Sequence, residues 1–363
     1  MSGVHIGLST SNIIDNNVTY NTNQQKAELF SRKFAEVGSN NQQSAEFGIY
    51  RTNFEKIHHN KLYSETSKTD DHYDDRYGNS DNNYRETSDS PYDETINRSF
   101  EFHELTAALL KCKRDSAPGD DKISYEIIHH LPQTSQKMLL RLYNNIWNCG
   151  KLPSDWKRSI IISALKANKP ATDPGSYRPI ALTSVLCKIM ERLVTNRLQW
   201  WMENKGIFNK FQSGFRKNRS CEDHILRLQD EVHKALHNKH STLACFLDLE
   251  KAFDTMWIQG LLYKMQEIGL KGHIYNWIRD FLTKRSIQVR VGTSMSRSYD
   301  VTNGCPQGSV INPLLFLLVV NDMSASNNSV KLSLFADDCA VWKLGRNLSK
   351  LNKVVKKIHR YRY

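Results

Sequence analysis

Two acidic segments in this sequence carry residue types that bind divalent cations. The first covers residues 242–257 and reads TLACFLDLEKAFDTMW. The apolar run at residues 243–247 predicts a buried strand that delivers Asp248 to the strand's end, where side chains can meet a ligand outside the sheet. We expect Asp254 to lie in the helix that follows. A buried carboxylate is costly unless it is paired or bound to a cation, which favours a metal ligand at Asp248; the alternative is a helix N-cap.

The second segment covers residues 331–344 and reads KLSLFADDCAVWKL. Apolar side chains alternate with Ser and Phe before Asp337 and Asp338, and an apolar run follows, which predicts a β-hairpin with two carboxylates at its turn. Asp also occurs in tight turns for backbone reasons alone, but Gly or Asn usually closes such hairpins. Adjacent like charges repel, and a divalent cation removes that cost, so the pattern favours metal binding.

The two segments together suggest phosphoryl-transfer chemistry. If the Asp248 strand and the Asp337–Asp338 hairpin lie side by side, their carboxylates share one edge of an antiparallel sheet. Mg²⁺ prefers a few carboxylates plus substrate phosphates, and two such ions roughly 3.5–4 Å apart activate an attacking oxygen and stabilise a leaving one. We therefore expect two Mg²⁺ ions, with Mn²⁺ as a substitute.

The charge distribution indicates the substrate class. Residues 1–100 hold 10 Lys and Arg against 15 Asp and Glu, whereas the remaining 263 residues hold 40 against 23, a net charge of +17. A strongly basic globular region attracts polyanions, and a polynucleotide is the expected partner; the alternative is a merely solubilising surface. No apolar run is long enough for a membrane span, so we expect no membrane contact.

Several segments should position these residues. Apolar spacing predicts helices at residues 25–37, 102–112, 123–130, 136–148 and 182–203, and a β-branched run predicts a strand at residues 157–165. Residues 1–25 lack periodicity and are expected to be loose, and residues 64–95 have the composition of a disordered linker. The seven single cysteines fit reduced thiols, and the N-terminus lacks a secretory signal, so we expect an intracellular protein, with nucleus and cytoplasm not distinguished.

Six ordered blocks between residues 116 and 344 carry a specific resemblance. They are Ser116-Ala117-Pro118-Gly119-Asp120-Asp121, Tyr177-Arg178-Pro179-Ile180, Phe211-Gln212-Ser213-Gly214-Phe215-Arg216, Phe246-Leu247-Asp248 through Phe253-Asp254, Asn303-Gly304-Cys305-Pro306-Gln307-Gly308-Ser309, and Phe335-Ala336-Asp337-Asp338. The sequence resembles the reverse transcriptase domain of non-LTR (LINE-type, jockey-like) retrotransposons. The resemblance implies an RNA-directed DNA polymerase that uses an RNA template, a DNA primer and deoxynucleoside triphosphates.

The resemblance also implies site residues. Asp248 and Asp337 would hold the catalytic metals, and Asp338 would complete the cluster. A second set of residues would contact the nucleotide. Arg178 would bind the triphosphate, and the backbone of Lys251 and Ala252 would approach it. Phe253 would act as a steric gate against a 2′-hydroxyl, and Gln307 and Gly308 would form the floor under the base pair. Lys166 or Lys169 would assist Arg178, and the spacing does not choose between them. Arg216 and Lys217 are expected to contact the template backbone.

The implied fold class is α+β, the fingers and palm of a right-hand polymerase, with helices packed on an antiparallel palm sheet. We assign residues 1–63 to a leader with a short helix, 64–97 to a polar linker, 98–242 mainly to fingers, 243–347 to the palm, and 348–363 to a basic helical tail. Asn312 replaces the family's usual Gly, and Cys305 its commoner Val, so the nearby turn or pocket is expected to differ.

Recognisable thumb motifs are missing, so we expect weak or no processive synthesis. The alternative is a catalytically inactive nucleic-acid-binding remnant of a retroelement. A third possibility, a palm-fold nucleotide cyclase, is disfavoured by Gln307 and Gly308, since a cyclase has no template to seat.

Overall fold

Helices and strands are interspersed along the chain, which a computed structural model describes at residues 11–39, 44–63, 93–249, 251–323, 330–347 and 349–352. The helices in this part are α1 (Asn23–Val37), α2 (Ala45–Tyr63), α3 (Glu94–Asn97), α4 (Phe102–Leu110), α5 (Tyr125–His129), α6 (Gln133–Cys149), α7 (Val185–Asn204), α8 (Cys221–His237), α9 (Ile258–Glu267), α10 (His273–Leu282) and α11 (Asn312–Val319). The strands are β1 (Ile13–Asp15), β2 (Val18–Tyr20), β3 (Arg158–Leu165), β4 (Tyr177–Leu182), β5 (Ser241–Asp248), β6 (Arg285–Val291), β7 (Ser294–Met295), β8 (Tyr299–Val301), β9 (Lys331–Phe335) and β10 (Asp338–Gly345).

The larger sheet is built around the β-branched strand β3. Strand β3 pairs antiparallel with β4 and parallel with β6, and β6 pairs antiparallel with β7 and β8. Helix α1 covers one face of this sheet, where Phe30 packs with the buried Ile161 and Val289. The predicted strand at residues 157–165 and the predicted helix at residues 25–37 are both confirmed.

The N-terminal hairpin differs from the sequence prediction. We expected residues 1–25 to be loose, which is wrong for residues 13–20, because β1 and β2 pair antiparallel there. Asn16 and Asn17 connect the strands with φ of 48° and 64°, the left-handed backbone that a two-residue hairpin turn needs and that Asn tolerates. Ile13 is fully buried in the cluster beneath α1. The hairpin is therefore packed onto the larger sheet through its first strand.

The smaller sheet has the strand order β5-β10-β9, with both pairs antiparallel. The predicted hairpin at residues 331–344 is confirmed as β9 and β10, and the fold is the mixed helix and sheet structure that was expected. The strand predicted at residues 243–247 is also present, but it is not buried as expected. Phe246 is 72% exposed, because β5 is an edge strand of a sheet with only three strands.

The main core lies among the helices. Helix α7 buries Ile189, Leu193 and Val194 at helical spacing, and they join one cluster with Trp147 of α6 and Trp277 of α10. The predicted helices at residues 102–112, 136–148 and 182–203 are confirmed with shifted ends, and the helix predicted at residues 123–130 is the shorter α5. Helix α7 begins at residue 185 because residue 182 still pairs with β3.

An arginine in α7 ties the residues that follow the predicted linker to this core. Arg197 makes two hydrogen bonds to Glu104, at 2.8 and 2.7 Å, and its guanidinium lies 4.1 Å from the Phe100 ring centroid.

Residues 64–92 of the predicted linker, together with residues 348 and 353–363 of the predicted tail, lie outside the described residues. Residues 93–97 do not continue the linker: they form the start and body of α3, and Ile96 is buried in the core.

Two further expectations concern the state of the cysteines and the membrane. All seven cysteines are free thiols, as expected. Within the described ranges, none of the helices has the length and apolar character required to cross a membrane.

Candidate active site

Three carboxylates lie at one end of the smaller sheet. Asp248 ends β5, Asp338 begins β10, and the register of this antiparallel pair sets the two residues directly opposite each other. Asp337 lies in the two-residue turn between β9 and β10. Asp248 and Asp338 are exposed and Asp337 is half-buried, so the group opens to solvent. The expectation that the two acidic segments meet at one sheet edge is confirmed.

This donor set fits a divalent cation that is shared with a substrate. Directly opposite residues point to one face with Cβ atoms about 4.5–5.5 Å apart, and like charges at that spacing repel. Mg²⁺ commonly takes one or two carboxylates together with substrate phosphate oxygens. In the part of the chain that the structure describes, no group of three or more His, Cys, Asp or Glu side chains could hold an ion alone. Asp248 and Asp338 are therefore suited to bind an ion whose remaining ligands come from a substrate, and Asp337 lies beside them.

A loop at residues 211–214 holds the acidic turn in place through hydrogen bonds. Gln212 Oε1 accepts hydrogen bonds from the backbone N–H groups of Ala336 (3.0 Å) and Gly214 (2.8 Å), and Gln212 Nε2 donates to the Ala336 carbonyl (3.3 Å). Leu334 exchanges two more backbone bonds with residues 211 and 213. Ala336 has a φ of 56°, which is unfavourable for a residue with a Cβ atom. The bonds from Gln212 help to offset that cost.

Gly214 permits the close approach of this loop to the turn. A Cβ atom at position 214 would clash with the Ala336 nitrogen and lie 2.8 Å from its Cα atom and 2.9 Å from the Phe335 carbonyl carbon. The sequence interpretation gave Gln212 and Gly214 no role. No local pattern reveals one, because the turn that they hold is more than 120 residues away.

Arg216, a predicted template contact, is paired within the protein. Its guanidinium pairs with Glu203 at 2.6 Å, donates to the carbonyls of Asn209 and Gln212, and stacks on Phe208. Only 9% of the side chain is exposed, so its charge is paired inside the protein, and the template contact stays a prediction. Lys217 is exposed, as a contact to a phosphate backbone would require.

The segment after Asp248 forms a turn where a helix was expected. The N–H groups of Asp254 and Thr255 both donate to the Lys251 carbonyl, and α9 begins only at residue 258. The turn is held to a distant loop, because the carbonyls of Phe253 and Met256 accept hydrogen bonds from residues 305 and 304, and Lys251 has a positive φ that a helix does not contain. The prediction that Asp254 is helical is therefore wrong.

The predicted gate residue is packed among aromatic rings. Phe253 lies 4.7 Å from the ring of Phe316 in α11 and 6.4 Å from that of Phe215, measured between centroids. Lys251 is exposed and has a φ of 52°, while Ala252 is half-buried. The ring contacts hold Phe253 in the turn that follows the Asp248 strand.

Gln307 and Gly308 lie on a loop that joins β4 of the larger sheet to the turn after β5. The Gln307 carbonyl accepts from the Ala181 N–H of β4 (3.0 Å), and Gln307 Nε2 donates to both carboxylate oxygens of Asp254, at 2.9 and 2.7 Å. Gly308 has a φ of 106°, a conformation open to glycine. Burial raises the pKa of Asp254, while the bond from Gln307 and the charge of Lys251 act to lower it.

A buried glutamate fixes the other side of this loop. Glu191 of α7 is fully buried, and its Oε2 accepts bonds from the Ser309 hydroxyl (2.5 Å) and the N–H groups of Val310 (2.6 Å) and Ile311 (3.3 Å). Burial raises the pKa of Glu191, and these hydrogen bonds act in the opposite direction. The sequence interpretation missed this residue; an acidic side chain on the apolar face of α7 was the available signal.

The remaining predicted residues lie on β4, on the segment between β3 and β4, and on the loop that ends at α11. Arg178 is exposed on β4, three residues before Ala181, or about 10 Å along the strand. The Lys166 ammonium donates a hydrogen bond to the Gly175 carbonyl at 3.0 Å, whereas Lys169 is exposed. Cys305 and Asn312, the two departures from the family pattern, are both buried, and burial raises the pKa of Cys305 to about 12.

Residues 166–361 match the family model described as "Reverse transcriptase (RNA-dependent DNA polymerase)". The chain is 33% identical over 247 residues to the RNA-directed DNA polymerase from mobile element jockey of Drosophila melanogaster, covering 66% of this chain and 27% of that protein. The jockey protein of Drosophila funebris matches at the same identity and coverage.

A more distant relative is the Retrovirus-related Pol polyprotein from type-1 retrotransposable element R1 of Bradysia coprophila. It is 27% identical over 224 residues, which cover 61% of this chain and 22% of that protein. The chain spans about a quarter of the length of the curated relatives it matches.

Proposed function

The chain belongs to the reverse transcriptase family, and we propose on this premise that it adds deoxynucleotides to a DNA 3′ end on an RNA template. The observation that carries the proposal is the register of β5 against β10, which sets Asp248 opposite Asp338 beside the Asp337 turn. The RNA template, the DNA primer and the deoxynucleoside triphosphates are its proposed partners. The basic charge of residues 101–363 supports a polyanionic partner.

The proposed reaction is an in-line attack of the primer 3′-oxygen on the α-phosphate of the nucleotide. The new bond joins the 3′-oxygen to the α-phosphorus, and the bond to the β-phosphate oxygen breaks to release pyrophosphate. Two divalent cations, when bound, would polarise the attacking oxygen and stabilise the leaving one. Asp248, Asp337 and Asp338 would hold those cations, while Gln212 keeps the hairpin that carries two of the carboxylates in a fixed conformation.

The proposed nucleotide contacts come from both sheets. Arg178 on β4 would bind the triphosphate, because its planar guanidinium matches phosphate oxygens. The backbone of Lys251 and Ala252 would approach the same phosphates. Gln307 and Gly308 would form the floor under the base pair, a role supported by the bond between Gln307 and β4 that ties the floor to the strand of Arg178.

Primer extension tests the proposed function. A DNA primer annealed to an RNA template should be extended in the presence of deoxynucleotides and Mg²⁺ or Mn²⁺, and a chelator should stop the reaction. Asp337→Ala should lose this activity. Equal extension by the wild type and Asp337→Ala would overturn the metal assignment. Binding of RNA that weakens steeply with salt, without any incorporation, would identify a nucleic-acid-binding protein instead.

Phe253→Val should relax the choice of sugar. A smaller side chain leaves room for the 2′-hydroxyl of a ribonucleotide, so the preference for deoxynucleotides should fall about 10- to 100-fold, as for other changes of pocket size. Single-nucleotide incorporation of matched ribo- and deoxynucleotides measures the ratio. Phe215→Val is the control, because it changes another ring of the same cluster outside the proposed gate. An unchanged ratio in Phe253→Val would exclude the gate.

A further inference from the structure

Asp254 pairs with Gln307, and the proposed chemistry leaves Asp254 without a role. Asp254 is half-buried, and both of its oxygens lie within 2.9 Å of Gln307 Nε2. Neither residue is one of the three carboxylates at the sheet edge. The two belong to different segments, 53 residues apart, so the pair joins the turn after β5 to the loop before α11.

The pair determines which way the Gln307 amide points. An ionised carboxylate only accepts hydrogen bonds, so the Gln307 group that faces Asp254 has to be its NH₂. The amide carbonyl, Oε1, must then point away from Asp254. Within the residues described, the Gln307 side chain has hydrogen bonds to Asp254 only, which leaves Oε1 available as an acceptor.

The backbone of this loop is fixed independently of the pair. The carbonyls of Phe253 and Met256 accept bonds from Cys305 (3.0 Å) and Gly304 (2.8 Å), and the Gln307 carbonyl accepts from β4. Glu191 holds the next residues, 309–311. Loss of Asp254 would therefore free the Gln307 side chain while these other bonds keep the loop in place.

We propose that Asp254 is a positioning residue that orients the Gln307 amide so that its carbonyl oxygen faces the incoming nucleotide as a hydrogen-bond acceptor. The proposal rests on the proposed function, because it requires a nucleotide beside the gate residue Phe253, which directly precedes Asp254 in the chain. Asp254 acts only through Gln307 and does not touch the nucleotide itself.

A double-mutant cycle tests this coupling. Asp254→Ala should raise the KM for the deoxynucleotide by up to about 10-fold in the wild-type background, the scale of one lost hydrogen bond between the nucleotide and the neutral Gln307 amide. In the Gln307→Ala background the same change should alter KM less than about twofold, because no amide remains to orient. Asp254→Asn keeps an acceptor but allows the amide to turn over, so its KM should lie between those of the wild type and Asp254→Ala.

A matched control separates positioning from stability. Asp280 is another half-buried aspartate with two partners, the Lys157 ammonium (2.7 Å) and the Leu152 N–H (2.7 Å), and both lie outside the proposed site. Asp280→Ala should lower the unfolding temperature and leave KM unchanged. Equal effects of Asp254→Ala in both backgrounds, or no effect of Asp254→Ala and Asp254→Asn on KM, would overturn the proposal.

The proposal and the proposed function can fail separately. If the wild type extends primers but Asp254 and Gln307 contribute independently, only the positioning role is lost. If the wild type does not extend primers, the same cycle is measured as the Kd for deoxynucleotide with Ca²⁺, which supports binding without turnover. Non-additive Kd values would then support the positioning role without catalysis, and additive values or no binding would overturn it.

Discussion

Asp248→Asn should abolish nucleotide incorporation while leaving the cation-free protein at least as stable as the wild type. The substitution keeps the size of the side chain and removes one of two charges that face each other across β5 and β10. Losing a metal-binding carboxylate should lower the rate about 10³-fold or more, which corresponds to about 4 kcal/mol of transition-state stabilisation. Removing a directly opposed like charge should stabilise the protein by about 0.2–1 kcal/mol.

Two measurements check this expectation. Single-turnover incorporation gives the rate, and thermal unfolding with and without Mg²⁺ gives the stability. Mg²⁺ should raise the unfolding temperature of the wild type more than that of Asp248→Asn, because an ion that binds only the folded state stabilises it. Asp300→Asn, an exposed aspartate on β8, should change neither rate nor Mg²⁺ response. Wild-type incorporation by Asp248→Asn would remove Asp248 from the metal site.

The parts of this fold that the sequence predicted depend on signals within one element. The alternation before Asp337 predicts the hairpin of β9 and β10, and apolar spacing predicts α6 and α7. The approach of Asp248 to the hairpin was also predicted, because Asp248 and the two hairpin carboxylates all lie at strand ends. Local periodicity is sufficient wherever an element is stabilised mainly by its own buried face.

The features that the sequence did not predict lie where distant residues decide the local structure. Asp254 is in a turn whose carbonyls at Met256 and Phe253 bond to residues 304 and 305. Arg216 is held inside the protein by Glu203, and Glu191 bonds to a loop 118 residues away. Such side chains are polar residues in apolar surroundings, and sequence spacing does not reveal their partners.

Gly214→Ala should reduce incorporation about 100-fold or more, although it lies in none of the acidic segments. The added methyl group would overlap the backbone of Ala336, so the hairpin that carries Asp337 and Asp338 has to move. A displacement near 1 Å in a catalytic group costs on the order of 10²-fold in rate. Single-turnover incorporation measures this loss, and RNA binding should be retained because the basic surface is unchanged.

Gly206→Ala is the matched control for Gly214→Ala, which changes the contact between residues 211–214 and the hairpin. Gly206 has a φ of 63°, and its added Cβ atom would meet no other atom within 4 Å. Alanine there should cost about 1–2 kcal/mol through backbone strain alone, with incorporation unchanged. If the two variants lose stability and activity in the same proportion, the loss at Gly214 reflects unfolding rather than movement of the turn. Loss of activity in Gly214→Ala at a stability no lower than that of Gly206→Ala identifies the loop as the part of the protein that positions the catalytic hairpin.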